Sequence, residues 1–352
     1  MGLKILHSAD WHLDSPFAGF SADRREFLRR EQKKLPGKIA RLCRGENCDL
    51  VLLSGDIFDN PTCRESGALL RDALAECRVP VIIAPGNHDY ITAGSPWLDI
   101  AWPENVHIFT GALESIVLPG LDCRVYGAGY RSMDCDALLE NFRVEGPERY
   151  QICVLHGDPM RLHSPYCPVT TAQVRDSGLD YLALGHIHRE GSFRAGSTLC
   201  CWPGTPMGRG FDEQGEKGVY ILELDGTCTG RFVALDTPRF FELNVDTDIQ
   251  APEQLLPGVD SGDFYRVTLT GGGEGSLADI RRKCPRLRHL ELIDRREPGE
   301  DPFARIDEDT LEGTYFRMLK EKLDAAEAGQ EEIIRLAARI SKTLLDGREV
   351  TL

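Results

Sequence analysis

The segment LALGHIHREG, residues 182–191, runs an apolar stretch straight into two histidines separated by one residue. In an extended segment residues i and i+2 point to one side, so His186 and His188 are expected to aim both rings at one point just past a strand. Asp10 and His12 in ADWH repeat that spacing after the first apolar run, and Asp56 in GDIFD, Asn87 in GNHD and His156 in LHGD follow three others. Together they supply two carboxylates, one amide oxygen and four imidazoles, enough for two divalent ions when one carboxylate is shared. Oxygen and nitrogen ligands without thiolate suit manganese, iron or zinc better than calcium or a sulfur-rich site. Two such ions about 3.5–4 Å apart hold a bridging hydroxide and clamp a phosphoryl group for in-line displacement. The chemistry that follows is phosphoester hydrolysis.

These residues need elements to bring them together. LKILHSAD, CDLVLLSGD, VPVIIAPGN, YQICVLHGD and LDYLALGH are apolar runs of strand length, each closing on Gly or a polar residue. Between the early ones lie helical patterns such as GALLRDALAEC, where Leu69, Leu70, Ala73, Leu74 and Cys77 share a face. Strands buried on both faces and alternating with helices predict an α/β core. Ligands collect at the carboxyl ends of such strands, and five of the nine histidines sit in these five motifs.

From about residue 205 the pattern changes. The Gly-rich loop TPMGRGFDEQGEKG precedes a strand, VYILELD, whose hairpin partner is GRFVALD. A smaller strand–helix–strand pattern follows in DFYRVTLTG, GSLADIRRKC and RHLELIDRR. The tail from Tyr315 to Asp346 is helical, with Leu319, Leu323, Ile333, Ala337, Ile340 and Leu344 at helical spacing and Gly329 as a break between two helices.

Composition bounds the rest. A chain of 352 residues, 41% hydrophobic and 28% charged, is expected to form a soluble globular protein of two domains. No apolar run approaches the roughly 20 residues of a membrane span. The N-terminus lacks the pattern of a signal peptide, and Leu6 stands where myristoylation needs Ser or Thr, so a cytoplasmic protein is expected. The net charge of −15 disfavours the whole molecule as an electrostatic trap for nucleic acid. Two basic stretches, DRREFLRREQKKLPGKIARLCR and DIRRKCPRLRH, read as solvated helix faces. The twelve cysteines show no CxxC spacing and read as core thiols, the vicinal Cys200 and Cys201 being the one pair with a redox alternative. Trp11 is expected beneath the ligands or stacked on a base, His7 in the core, His163 in solvent, and Asp89 on backbone donors.

In this order and at these spacings, ADWH, GDIFD, GNHD, the His of LHGD and GHIH resemble the five blocks of the calcineurin-like metallophosphoesterase superfamily. The opening LKILHSADWHLDSPF, the loop PGTPMGRGFDEQGEKGVY and the trailing small domain are similar to the SbcD-like DNA repair exonucleases, especially the YhaO-like branch. The resemblance implies a four-layer αββα sandwich over residues 1–237, a small α/β capping domain over 238–297 and a helical C-terminal tail over 298–352. It implies Asp10, His12 and His188 at a first metal, Asn87, His156 and His186 at a second, and Asp56 as the bridge. His88 would face the substrate as acid or charge stabiliser, oriented by Asp59. It implies two divalent ions, with manganese expected and iron or zinc as alternatives. Implied partners are DNA ends as substrate and an SbcC-like ABC-type ATPase docked on the C-terminal helices, with no membrane and with room for a homodimer. Two other readings stay open: a phosphodiesterase or phosphatase for nucleotides or other small esters, and a non-catalytic scaffold on the same fold.

Overall fold

In the computed structural model, residues 2–273, 275–296, 301–326 and 330–347 are described. The chain divides into two compact units, Met1–Arg239 and Phe240–Leu352, and the C-terminal helices group with the small sheet rather than standing as a separate tail.

The first unit contains, in chain order, β1 (Leu3–Ser8), β2 (Leu50–Leu53), β3 (Val81–Ile83), β4 (Val106–Ile108), β5 (Glu114–Leu118), β6 (Cys123–Gly127), β7 (Tyr150–His156), β8 (Tyr181–Gly185), β9 (Gly191–Ala195), β10 (Thr198–Trp202), β11 (Gly218–Asp225) and β12 (Thr227–Ala234). Its helices are α1 (Ala22–Gln32), α2 (Leu35–Gly45), α3 (Gly67–Cys77), α4 (Pro96–Asp99) and α5 (Thr171–Ser177). Two six-stranded mixed sheets form, in the orders β12-β11-β1-β2-β3-β4 and β5-β6-β7-β8-β10-β9. β1 to β4 run parallel to one another, as do β6, β7, β8 and β10, while β11 pairs antiparallel with both β1 and β12 and the edge pairs β5–β6 and β9–β10 are antiparallel, so the expected hairpin of VYILELD with GRFVALD is present.

The apolar runs are continuous because each strand feeds two cores. Ile5, Leu50, Leu52 and Ile82 face Val125, Ile152, Val154 and Ala183 of the other sheet. Their neighbours Leu6, Val51, Leu53 and Ile83 pack outward on Ile39, Ala40, Leu70 and Leu74 of α2 and α3. Cys153, Leu155, Leu182 and Leu184 pack outward on Val174 of α5 and Leu179. The layers are therefore helix, sheet, sheet, helix, and each fully buried Leu, Ile or Val contributes about 1.5–3 kcal/mol. Leu69, expected on the apolar face of α3, is 40% exposed, because the buried stripe follows Leu70, Ala73, Leu74 and Cys77. Cys200 and Cys201 alternate across β10 into different cores, the outer and the inner, which separates the vicinal thiols.

A buried polar chain ties the sheets together in the central core. His7 of β1 lies 2.6 Å from the Tyr181 hydroxyl of β8 and 2.8 Å from Ser54 Oγ, which follows β2. Burial pushes the His7 imidazole down to about 3, so it stays neutral.

The second unit is a three-stranded parallel sheet, β13 (Phe240–Asp246), β14 (Phe264–Thr270) and β15 (His289–Asp294), with α6 (Leu277–Lys283) crossing between the last two. Val245, Val267, Leu269, Ile280 and Leu290 form its core. Two helices follow, α7 (Leu311–Asp324) and α8 (Glu331–Leu345), joined by the Lys342–Glu312 ion pair at 2.9 Å and by Tyr315 Oη and Ser341 Oγ at 2.8 Å. Of the apolar stripe read from the spacing, Ile333 is 68% and Leu344 59% exposed, while Ala338 and Lys342 are buried. Gly329 lies outside the described residues. Among the described residues no helix is long and apolar enough to cross a membrane.

Candidate metal centre

The five motifs follow β1, β2, β3, β7 and β8, which belong to two different sheets. The loops after β1 and β2 continue pairing beyond the strands: Asp10 N donates to Gly55 O (3.0 Å), His12 N to Asp56 O (2.9 Å) and Leu13 N to Ile57 O (2.8 Å). Asp10, His12, Asp56 and His186 all adopt positive φ, at 55°, 45°, 51° and 92°. The side chains thus converge through left-handed turns past the strand ends, not through the pleat of an extended strand. The rings of His186 and His188 go to two neighbouring places: His186 Nδ1 lies 3.3 Å from Asn87 Oδ1, and His188 Nε2 lies 3.2 Å from His12 Nε2.

Three groups of donor atoms form, each within 4.8 Å: Asp10, His12 and His188; Asp10, Asp56 and His156; and His12, Asp56 and His88. Asp56 links the halves, its Oδ2 lying 3.3 Å from His156 Nε2 and 3.8 Å from His12 Nε2. Asn87 Oδ1 completes the second half, 2.9 Å from His156 Nε2. Asp10 is shared as well, and its carboxylate accepts the main-chain N–H of His186 at 3.0 Å.

The outer ring atoms decide which nitrogen faces inward. His156 Nδ1–H donates to the Ser54 carbonyl (2.9 Å), and His188 Nδ1–H donates to Glu213 Oε1 (2.7 Å). His12 Nδ1 faces Asp59 Oδ1 at 3.3 Å. Each Nε2 lone pair is thereby turned into the centre, where it meets other acceptors: nitrogen against nitrogen at 3.2 Å in one half, nitrogen against Asn87 and Asp56 oxygens in the other. Converging lone pairs repel unless a cation lies between them, so these residues fit two divalent ions. Arg209 Nη2 also lies 3.1 Å from His188 Nδ1, but its N–H groups are taken up by Glu213 Oε1 at 2.9 and 3.1 Å, and the shorter carboxylate contact sets the tautomer.

Protonation follows the same geometry. Burial lowers the His12 imidazole, and burial together with the His156 charge pushes His186 down to about 4, which leaves both as neutral ligands. Burial would raise Asp56, but His156, His12 and His88 hold it low, and burial of His156 is outweighed by Asp56, which lifts it to about 9; without a cation a proton thus lies between His156 Nε2 and Asp56, and a bound cation would displace it and free the lone pair. Burial of Glu213 is likewise outweighed by His188 and Arg209, so it stays ionised.

The turn after β3 holds the pieces in place. Asp89 is fully buried and accepts from the main-chain N–H groups of Gly86 (2.6 Å), Ile57 (2.8 Å), Asp56 (3.2 Å) and Phe58 (3.2 Å), the backbone role expected of it. A Cβ on Gly86 would lie 2.3 Å from Asp56 Oδ1, and one on Gly185 2.0 Å from the Ser54 carbonyl, so both positions admit only glycine. His88 is half-buried, its ring edge-on to His12 with centroids 4.8 Å apart, and its main-chain N–H donates to Asp56 Oδ1 (2.8 Å). Asp59 reaches His88 through its main-chain carbonyl, 3.3 Å from Nδ1, while its carboxylate faces His12, Ser15 Oγ (2.9 Å) and Arg209 (3.5 Å). The carboxylate expected to orient His88 thus faces His12, Ser15 and Arg209 instead.

Trp11 is 1% exposed and donates Nε1–H to Ser8 Oγ (2.8 Å), which removes it as a base-stacking surface. His163 is exposed on its loop. Sequence patterns assign no role to Glu213, Arg209, Ser54 or Gln32, whose side-chain amide holds the His12 carbonyl at 2.8 Å from the end of α1. For Glu213 and Arg209 the available signal is the charged i, i+4 pair inside a Gly-rich loop, and nothing local says where that loop lands.

The model of the calcineurin-like phosphoesterase family matches residues 3–190. The uncharacterized metallophosphoesterase YhaO of Bacillus subtilis is 34% identical over 239 residues, 63% of this chain and 57% of that protein. The SbcD subunit of the nuclease SbcCD from the same organism is 24% identical over 269 residues, 63% of this chain and 66% of that protein. The chain therefore spans less than two thirds of either relative. Among solved structures, a dimetal phosphatase from Danio rerio is similar at 14% identity and a TM-score of 0.43, over 66% of this chain and 96% of that one. With its five motifs converging on one donor-lined centre between two sheets, the chain belongs to the calcineurin-like phosphoesterase family.

Proposed function

We propose that the chain is a dinuclear, manganese-dependent phosphodiesterase that hydrolyses DNA, as an exonuclease or endonuclease acting at DNA ends. The observation that carries the phosphodiesterase part is the pair of lone-pair clusters joined by Asp56, a spacing suited to two ions on one phosphoryl group. When bound, the two ions polarise the phosphoester and supply the water-derived nucleophile at neutral pH. Asp10, His12 and His188 would hold one ion, Asn87, His156 and His186 the other, and Asp56 would contact both. His88 keeps its Nδ1 against the Asp59 carbonyl, which leaves Nε2 to protonate the leaving oxygen or to stabilise charge on the phosphoryl group.

The DNA part is supported by likeness to the SbcD subunit of SbcCD, and the exposed Ile333 and Leu344 on α8 support a dock for an SbcC-like ATPase. The net charge of −15 favours a second reading, a phosphodiesterase for nucleotides or other small esters. The purified chain with manganese should degrade linear DNA, and His88→Ala should abolish the activity. Turnover of bis-p-nitrophenyl phosphate or nucleotides with DNA left intact would move the assignment to small esters. A DNA-tracking enzyme should also lose affinity steeply with added salt, where a small-ester enzyme hardly changes.

A further inference from the structure

The centre has an outer ring that the ligand set does not explain. Glu213, 7% exposed, comes from the loop between β10 and β11, far in sequence from every ligand it supports. Its Oε1 lies 2.7 Å from His188 Nδ1, and its Oε2 accepts the Arg209 main-chain N–H at 2.8 Å. The Arg209 guanidinium returns two N–H groups to Oε1 and extends Nη1 to within 3.5 Å of Asp59 Oδ1. Asp59 in turn faces His12 Nδ1 and is held by Ser15 Oγ. The two imidazoles of one half-centre are therefore backed by carboxylates that one arginine ties together. In the other half, His156 is backed by a neutral main-chain carbonyl.

On the dinuclear reading above, we propose that Glu213 is a positioning residue for the cation shared by Asp10, His12 and His188, acting through His188, and that Arg209 locks Glu213 to Asp59. A carboxylate on Nδ1 fixes the tautomer, aims the ring and makes Nε2 a stronger donor to a cation, whereas the half-centre of Asn87, His156 and His186 does not touch this ring. Loss of Glu213 should then weaken one cation position and spare the other.

The test is calorimetric titration of manganese into the full, metal-stripped chain, with the thermal melt of each variant as the fold control. Wild type should take up two equivalents. Glu213→Ala should lose about 10–100-fold in affinity at one equivalent only. Glu213→Asp should recover part of the loss, and Glu213→Gln, near in shape but without charge, should fall between wild type and Glu213→Ala. On a His188→Ala background Glu213→Ala should cost nothing further, because its effect passes through that ring. Two wild-type equivalents in Glu213→Ala, an equal loss at both with an unchanged melt, or full additivity with His188→Ala would each overturn the assignment. Should Glu213→Ala melt early, the Gln and Asp variants carry the same comparison. A wild-type chain that binds no manganese would instead bring down the dinuclear reading, and this inference with it.

Discussion

Parallel strands run through both units, yet their carboxyl ends do different work. In the first unit β1, β2, β3, β7 and β8 end in Asp, Asn and His side chains that are turned towards one another. In the second unit β13 ends at Asp246 and β15 at Asp294, and both carboxylates are occupied locally. Asp246 Oδ1 accepts the main-chain N–H of Asp248 (2.9 Å), and Asp294 pairs with Arg296 at 2.7 Å. Among the described residues no metal-competent group of His, Cys, Asp or Glu occurs there. A parallel sheet gathers side chains at one edge in either case. What differs is whether turn closure consumes the carboxylates. In the first unit Asp10 and Asp56 each accept one main-chain N–H, from His186 and His88, but Asp89 takes four more by itself, and Asp56 Oδ2 still faces His156 and His12.

That contrast can be broken most directly at the bridge. Asp56→Asn should lower metal content at both positions and cut phosphodiester turnover by several kcal/mol of transition-state stabilisation, about 10³-fold or more. Full metal occupancy in this variant would show that the halves are independent. His88→Ala should retain both metals and lose turnover by about 10²–10⁴-fold; a metal-depleted variant would make His88 a ligand. The second unit sharpens the comparison from the other side. Leu269→Ala opens a cavity in a fully buried site and should cost about 2–5 kcal/mol of stability, with turnover of a small ester unchanged, since among the described residues no metal-competent group includes a residue of that unit. A parallel fall in metal content would contradict that separation.

The smallest effect concerns pH. His7 titrates near 3 in the folded chain against about 6.5 unfolded, so only the unfolded state takes up its proton between those values. Its contribution to stability is complete above pH 6.5 and declines as pH falls, by about 2 kcal/mol at pH 5. In denaturant melts the stability difference between wild type and His7→Gln should be constant above pH 6.5 and shift against wild type on acidification, by about 2 kcal/mol at pH 5. Parallel curves across that range would exclude His7 as the source.

Much of this is legible in one dimension. The continuous apolar runs require strands buried on both faces, and the concentration of Asp, Asn and His after them points to a single site. The i, i+2 spacing by itself suggests the wrong geometry, because an extended strand and a left-handed turn both bring residues two apart into proximity. Only the positive φ angles at Asp10, His12 and His186 distinguish the two. The tail shows a related limit of spacing: helical periodicity places Ile333, Ala337, Ile340 and Leu344 on one stripe, but not whether that stripe meets the protein or solvent, and Ile333 and Leu344 are exposed.

The amino-acid sequence by itself determined the residue types, their order and the strand ends that carry them, since apolar periodicity and ligand chemistry are local properties. The tertiary structure alone decided which oxygen backs each imidazole, that the Asp59 carboxylate faces His12, and that Glu213 and Arg209 stand behind His188. Those depend on loops that meet across separations from 25 residues, for His188 and Glu213, to 176, for His12 and His188, and on tautomers set by whichever oxygen happens to lie behind each ring.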